Sequence, residues 1–378
     1  MYTNDNRIVM TLDAGGTNFV FSAIKGNQEI VTPVIFPSNA DNLEKCLNTI
    51  KEGFCIIKKE LNAHPAAISF AFPGPADYKN GIIGDLPNFP SFRGGVALGD
   101  FLRENFDIPV FINNDGNLFA YGEALAGLLP EVNTNLKNAG NSKQYKNLLG
   151  ITIGTGFGAG IVINNNLNIG DNECGGDVWL LPNKKFPNII AEESVSIRAV
   201  QRVYEEITKD NSEKSPKDIF EIAEGIKLGD KEAAIKSFEE LGEAVGDVIS
   251  RIINVMDGLV VIGGGLSGAE KYIFPAILKE LNSTVGTFDN SYYPSLQMEA
   301  FNLSDSSEYI EFLKEKSNLI NVPFSNNQVR YNQSKKTGIA ISKLGAAKAI
   351  SLGAYAFALE QLNKKGKKPT NNKILSKT

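Results

Sequence analysis

Histidine is almost missing from this chain of 378 residues; His64 stands alone. A Ser-His-Asp relay or a histidine-rich metal site has no members to draw on, so a general base here is an Asp or a Glu. Cysteine is scarce too. Cys46, Cys55 and Cys174 are widely spaced and give neither a disulfide framework nor a zinc motif. No apolar run approaches membrane-spanning length, and the opening Met1–Asn6 is polar, with no signal-peptide core. Positive charge is not in excess: the net charge is −5, and nothing draws the whole molecule to nucleic acid. These absences predict a cytoplasmic protein with neither a membrane nor a nucleic-acid partner.

What is present suits a soluble globular chain. The hydrophobic share is 42% and the charged share 21%, and the length predicts two domains or lobes. The stretch Ile8–Ser22 organises the rest. An apolar run reaches Asp13, then Gly15, Gly16, Thr17 and Asn18, then a second apolar run, which reads as strand, tight turn, strand. Exposed amides at such a turn can cradle an anion, and a carboxylate delivered by a strand can hold a metal ion. The alternative is a hairpin whose Gly and Asn serve turn geometry alone.

Strands are predicted at 7–12, 18–23 and 30–36. Asp41 reads as an N-cap, and Leu43, Leu47, Ile50, Phe54, Ile57 and Leu61 recur at helical spacing, which predicts a helix over 42–62. A buried strand at 67–72 runs into Pro73-Gly74-Pro75, and a second rigid loop, Leu86–Pro90, carries Asn88. Loops at strand ends are where α/β proteins place ligand contacts. A helix at 98–105 and a strand at 108–112 follow. That strand ends in Asn113-Asn114-Asp115-Gly116-Asn117 ahead of a helix over 118–125. Asp115 is either a helix cap or a ligand-binding or catalytic acid, and three amide side chains around one acid exceed what a cap requires.

Residues 130–147 are polar and read as a surface loop. The opening device then repeats: strand 148–153, turn Gly154-Thr155-Gly156-Phe157-Gly158, returning strand 159–163. A second copy implies two similar half-molecules. Gly170–Asp177 is Gly-rich and acidic, Ala191–Ser194 caps a helix near 195–207, and helices follow at 217–226 and 231–256. Asp257–Ser267 is again a strand and a glycine turn, Gly263-Gly264-Gly265. Residues 285–338 read as a polar, irregular insertion, 344–362 as an Ala-rich helix, and 363–378 as a flexible basic tail.

The ordered set Asp13–Asn18, Pro73–Pro75, Pro87-Asn88, Asn113–Asn117, Gly154–Gly158 and Gly263–Gly265 resembles the ROK family of sugar kinases and repressors, within the actin/hexokinase/Hsp70-like ATPase superfamily. The resemblance runs from about residue 7 to 268 and returns at the last helix. It implies an α/β, two-lobed ribonuclease-H-like (actin-like ATPase) fold with a duplicated βββαβα core and a central ATP and sugar cleft. The small lobe would span 1–120, closed by the last helix, and the large lobe 121–343.

The resemblance also implies roles. Asp13 would help hold Mg²⁺. Gly15, Gly16, Thr17 and Asn18, with Gly154, Thr155 and Gly156, would face the phosphates of ATP, and Gly263, Gly264 and Gly265 its adenosine. Pro73, Gly74, Asn88, Asn114, Asp115, Asp177 and Glu192 would line the sugar, with Asp115 as general base. A hexose substrate, a glucokinase-like activity and a homodimer follow as expectations. A weakly active sugar sensor, a kinase for fructose or an N-acylhexosamine, and a phosphotransferase for a non-sugar acceptor are the alternatives. Only about seven residues precede the first strand, so a winged-helix repressor is not expected.

The chain departs from the family's pattern at one place. Members usually carry Gly-Glu-Ile-Gly-His and then a cysteine zinc loop. Here Gly176-Asp177-Val178-Trp179-Leu180 puts Leu180 at the histidine position, and residues 181–191 alone separate it from Glu192. No structural zinc is expected, and the sugar preference is expected to differ.

Overall fold

The computed structural model describes residues 2–15, 17–74, 76–84 and 89–366. The chain divides into two compact units, one of residues 1–114 with 354–378 and one of residues 115–353.

The first unit opens with β1 (Val9–Ala14) and β2 (Asn18–Lys25), an antiparallel pair whose register sets Asp13 opposite Val20. The expected third strand is split into β3 (Gln28–Glu29) and β4 (Val34–Pro37), both on β2. Helix α1 (Leu43–Glu60) follows. Its N-cap is Asn42, not Asp41: the Asn42 side chain accepts the Lys45 amide at 3.0 Å. Cys46, Ile50, Phe54 and Ile57 form its buried stripe. β5 (Ala67–Ala71), the small hairpin β6 (Ala76–Asp77) and β7 (Ile82–Ile83), α2 (Leu98–Phe106) and β8 (Val110–Asn113) complete the unit's main chain. β1, β5 and β8 are parallel neighbours, so the sheet runs β3-β2-β1-β5-β8.

Phenylalanine builds this unit's core. Phe72 packs on Phe89 at 4.9 Å and on Phe92 at 5.5 Å, and Phe21 meets Phe54 edge-on at 5.2 Å. Each such pair adds about 1 kcal/mol beyond the area it buries. Phe89 is fully buried.

The second unit begins at α3 (Asp115–Ala126) and α4 (Leu128–Asn138). The loop expected over 130–147 is therefore half helix. Leu128, Leu129, Val132 and Leu136 repeat at helical spacing and are buried, a narrow stripe that the Asn- and Lys-rich remainder of the segment masks. β9 (Leu148–Ile153), β10 (Phe157–Ile163) and β11 (Asn166–Leu167) form the repeated hairpin and its return. Helices α5 (Ile197–Thr208), α6 (Pro216–Ala223) and α7 (Lys231–Met256) lead to β12 (Leu259–Gly263) and α8 (Glu270–Leu281).

The stretch 285–338, read as irregular, contains strands and a helix. The hairpin β13 (Thr284–Gly286) and β14 (Tyr292–Pro294) precedes β15 (Glu299–Asn302), α9 (Ser306–Leu313) and a second hairpin, β16 (Ser317–Asn321) and β17 (Gln328–Asn332). β18 (Lys336–Ile341) sits between β12 and β15, all parallel. Two of these strands thus belong to the unit's sheet, ordered β11-β10-β9-β12-β18-β15. Short strands without period-2 alternation leave little mark on a sequence. Helix α10 (Ala346–Gly366) is the last element among the described residues and takes in 363–366, the start of the expected flexible tail 363–378; the remainder of that tail lies outside the described residues.

The two sheets repeat one plan. Each has an antiparallel hairpin, β1-β2 or β9-β10, whose first strand continues into parallel neighbours, β5-β8 or β12-β18. Among the described residues no helix is long and apolar enough to cross a membrane.

Candidate active site

In the first unit the parallel strands deliver their C-terminal ends side by side. Asp13 of β1 pairs with Ala71 of β5, and Ala71 with Asn113 of β8. The chain leaving β5 stays attached to β8: the Phe72 amide donates to the Asn113 carbonyl at 3.0 Å. The Tyr78 hydroxyl donates to the Phe72 carbonyl at 3.0 Å and receives the Asn114 side-chain amide at 3.5 Å. Gly74 lies against both, a Cβ there falling 2.6 Å from the Tyr78 hydroxyl oxygen. Asp13, Pro73–Gly74 and Asn114 are thus gathered at one edge of one sheet. Tyr78 joins them and was missed, since nothing in its local sequence marks it.

The turn after β1 is tight. The Gly15 amide donates to the Asn18 carbonyl at 3.1 Å, and Thr17 and Asn18 are exposed. Asp13 is half-buried, and among the described residues no hydrogen bond or ion pair holds its carboxylate. Burial alone pushes its pKa up from the usual carboxylate value. A desolvated acid at a strand end without a protein partner is what a site for a hard cation requires, so this residue fits Mg²⁺. Gly16 and Asn88 lie outside the described residues.

In the second unit the helix that starts at Asp115 is set down on the second hairpin. A Cβ on Gly116 would fall 2.6 Å from the Ala159 carbonyl oxygen, so only glycine allows the contact. Gly176, at φ +101°, crowds the same carbonyl at 2.7 Å. The backbones beside Asp115 and Asp177 therefore converge on one residue of β10. The Gly116 amide donates to the Asp115 carboxylate at 2.8 Å. Asp177 is exposed and precedes a 3-10 turn, Val178–Leu180, in which Leu180 is also exposed.

The turn Gly154–Gly156 is braced from behind. Glu192 accepts the Phe157 amide at 3.0 Å on one oxygen and the Arg198 guanidinium at 3.3 Å on the other. Arg198 also donates to the Thr155 carbonyl at 3.3 Å and to Glu193 at 3.1 Å. The hydrogen bond to Glu193 first, then the Glu193 charge and the contact with Glu192, hold the Arg198 pKa above its ordinary value against the opposing effect of burial. Arg198 was missed; its place in the first turn of α5 gives no cue that it folds back to a glycine turn. Ser196, at the head of α5, is fully buried, and its hydroxyl has no hydrogen-bond partner among the described residues. The third glycine run closes on the same hairpin: Gly264, at φ +94°, abuts Ile153, and the Leu266 amide donates to the Ile153 carbonyl at 3.2 Å. Gly154 and Gly265 face open space.

These features define a class: α/β proteins of the duplicated ribonuclease-H-like, actin-like ATPase fold, with a glycine hairpin heading each copy. The ROK family matches residues 9–307. The chain belongs to the ROK family. It is similar to the crystal structure of a glucokinase from Parabacteroides distasonis, at 59% identity and a TM-score of 0.85, over 95% of this chain and 99% of that one. It is 25% identical over 301 residues to a glucokinase of Thermotoga maritima, covering 74% of this chain and 90% of the relative. An N-acetyl-D-glucosamine kinase of Photobacterium profundum is 26% identical over 282 residues, 68% of this chain and 84% of that one.

Proposed function

We propose that this protein is an ATP-dependent hexose kinase, glucokinase-like in its acceptor, with Asp115 as general base. One observation carries the reading: Gly116 packs on Ala159, which sets the acid-bearing first turn of α3 against the hairpin whose turn is Gly154–Gly156. The likeness to glucokinases supports the hexose.

A sugar hydroxyl is too weak an acid to ionise at neutral pH. In this reading the Asp115 carboxylate orients it and takes its proton as the oxygen–phosphorus bond forms. Amides of Gly16, Thr17, Thr155 and Gly156 would bind the phosphoryl oxygens, framed by Asn18 and by Gly15 and Gly154, whose own amides close the two turns on the Asn18 and Gly156 carbonyls. Gly263, Gly264 and Gly265 would lie along the adenosine, bare of side chains. Pro73, Gly74, Asn88, Asn114, Asp177 and Glu192 would position the sugar. Asp13 would hold Mg²⁺, which when bound offsets charge on the phosphates. A homodimer belongs to the same proposal and is read by sedimentation.

A second acceptor is favoured by Leu180. It is 53% exposed within the turn that follows Asp177, an apolar contact suited to the methyl of an N-acylhexosamine. ADP release with ATP, Mg²⁺ and a panel of hexoses and N-acylhexosamines tests both. Sugar-dependent release that falls about 10²–10⁴-fold in Asp115→Asn is expected. Wild type as inert as Asp115→Asn on every sugar would overturn the proposal.

A further inference from the structure

Glu123 is 1% exposed, and the proposed transfer has no use for it. It lies two turns after Asp115 on α3, about 12 Å along the helix axis. One carboxylate oxygen accepts the Leu128 amide at 2.8 Å, which caps the start of α4. The other accepts the Ser342 hydroxyl. Ser342 is tied in turn to the strand that ends in the third glycine run: its amide donates to the Ile262 carbonyl at 2.9 Å, next to Gly263. Its hydroxyl oxygen also receives the Gly345 amide at 3.0 Å, so it stiffens the turn ahead of α10. Midway between Asp115 and Glu123, the ring of Phe119 stands where a Cβ on Gly263 would be, at 2.7 Å. Helix α3 thus meets the end of β12 at two levels, by packing at Phe119 and by hydrogen bond through Ser342.

A cavity of about 390 Å³ opens beside the second level, lined by Glu123, Leu128, Glu131, Lys343 and Leu344 among others. α3 is packed closely on its other sides, Gly122 on Ala349 and Ala120 on Gly150, so the polar link toward β12 on this side is the one through Ser342.

We propose that Glu123 is a positioning residue for phosphoryl transfer: through Ser342 it holds α3, and with it Asp115, in register with the glycine turn after β12. This rests on the reading of Asp115 as base and of Gly263–Gly265 as nucleotide contacts. The tie is a single hydroxyl between two elements that would each hold one reactant. Losing it leaves both reactants bound and their alignment loose.

Ser342→Ala removes the tie and keeps the α4 cap. The expected result is a kcat about tenfold lower with the KM for hexose near the wild-type value. Tm stays within about 2 °C, and Ser342→Thr, which restores a hydroxyl, recovers the rate. Hydrogen exchange of the unliganded protein gives an independent readout: amides in the first turns of α3 exchange faster in Ser342→Ala while those of α7 do not change. An unchanged kcat with unchanged exchange overturns the proposal. So does a rate loss that only follows the folded fraction. If wild type phosphorylates no sugar, the kinase reading falls, and exchange in α3 still decides whether the tie holds the helix.

Discussion

Glu192 accepts the backbone amide of Phe157 at 3.0 Å, so an acid expected to touch sugar also holds the glycine turn one residue ahead of that amide. Arg198 joins the same carboxylate to the Thr155 carbonyl. In the proposed reading this brace holds the turn whose amides would meet the phosphates.

Removing the brace should therefore cost transition-state stabilisation. Glu192→Ala loses a charge-assisted bond to a backbone amide, a contribution of about 2 kcal/mol, so kcat/KM falls roughly 30-fold. Arg198→Ala, which leaves the Phe157 contact intact, falls less. Steady-state kinetics at fixed Mg²⁺ check the order of the two.

Asp13 sets function against stability. Its carboxylate is desolvated and has no hydrogen-bond or ion-pair partner among the described residues, so the charged form is disfavoured in the folded protein. Asp13→Asn should abolish Mg²⁺-dependent phosphorylation and yet raise Tm by about 1–3 °C in metal-free, nucleotide-free buffer. Differential scanning fluorimetry beside the ADP assay reads both; a lower Tm would contradict the assignment.

Glu123 predicts a pH dependence. Burial, the largest effect, lifts its pKa, and the Glu131 charge adds to it; the Ser342 and Leu128 hydrogen bonds oppose. Glu131 and Lys343, paired with each other, also line the adjoining cavity. A folded value above the unfolded one means the native state holds the extra proton between the two. Stability then falls as pH rises from the ordinary glutamate value through the raised one. Wild type should lose Tm relative to Glu123→Gln across that window and run parallel to it at higher pH. Thermal melts at closely spaced pH values test the slope.

The three thiols should separate by reactivity. Burial pushes the Cys46 thiol up to about 12, while Cys174 is exposed. A thiol reagent at pH 8 should label Cys174 quickly, Cys55 slowly and Cys46 upon unfolding. Rapid labelling of Cys46 in the native protein would show α1 to be loosely packed.

Much of this chain was legible before its fold was known. Strong periodicity placed α7 at 231–256 and the strand at 148–153, both as found. Glycine and carboxylate spacing marked the two hairpins and the Asn-Asn-Asp corner, because turn geometry and strand ends demand those residue types locally. α4 escaped, since its four buried leucine and valine residues are diluted by asparagine and lysine. β15 and β18 escaped for a similar reason: β18 becomes a strand by lying beside β12 and β15 by lying beside β18, and sequence alone does not record their neighbours.

The residue types of the candidate site and their order along the chain were thus determined by the sequence. Which of them meet was decided by tertiary structure. Arg198 reaches Thr155, Tyr78 reaches Asn114, and Ser342 reaches Glu123 across 219 residues of chain. The Tyr78 and Glu123 pairings arise because a buried or half-buried polar group must find its partner wherever the packed sheets and helices leave one; the Arg198 pairing is exposed and arises because the fold brings the head of α5 beside the glycine turn. Spacing along a sequence reports what one turn or one face requires; it carries no term for a partner brought near by the packing of distant segments.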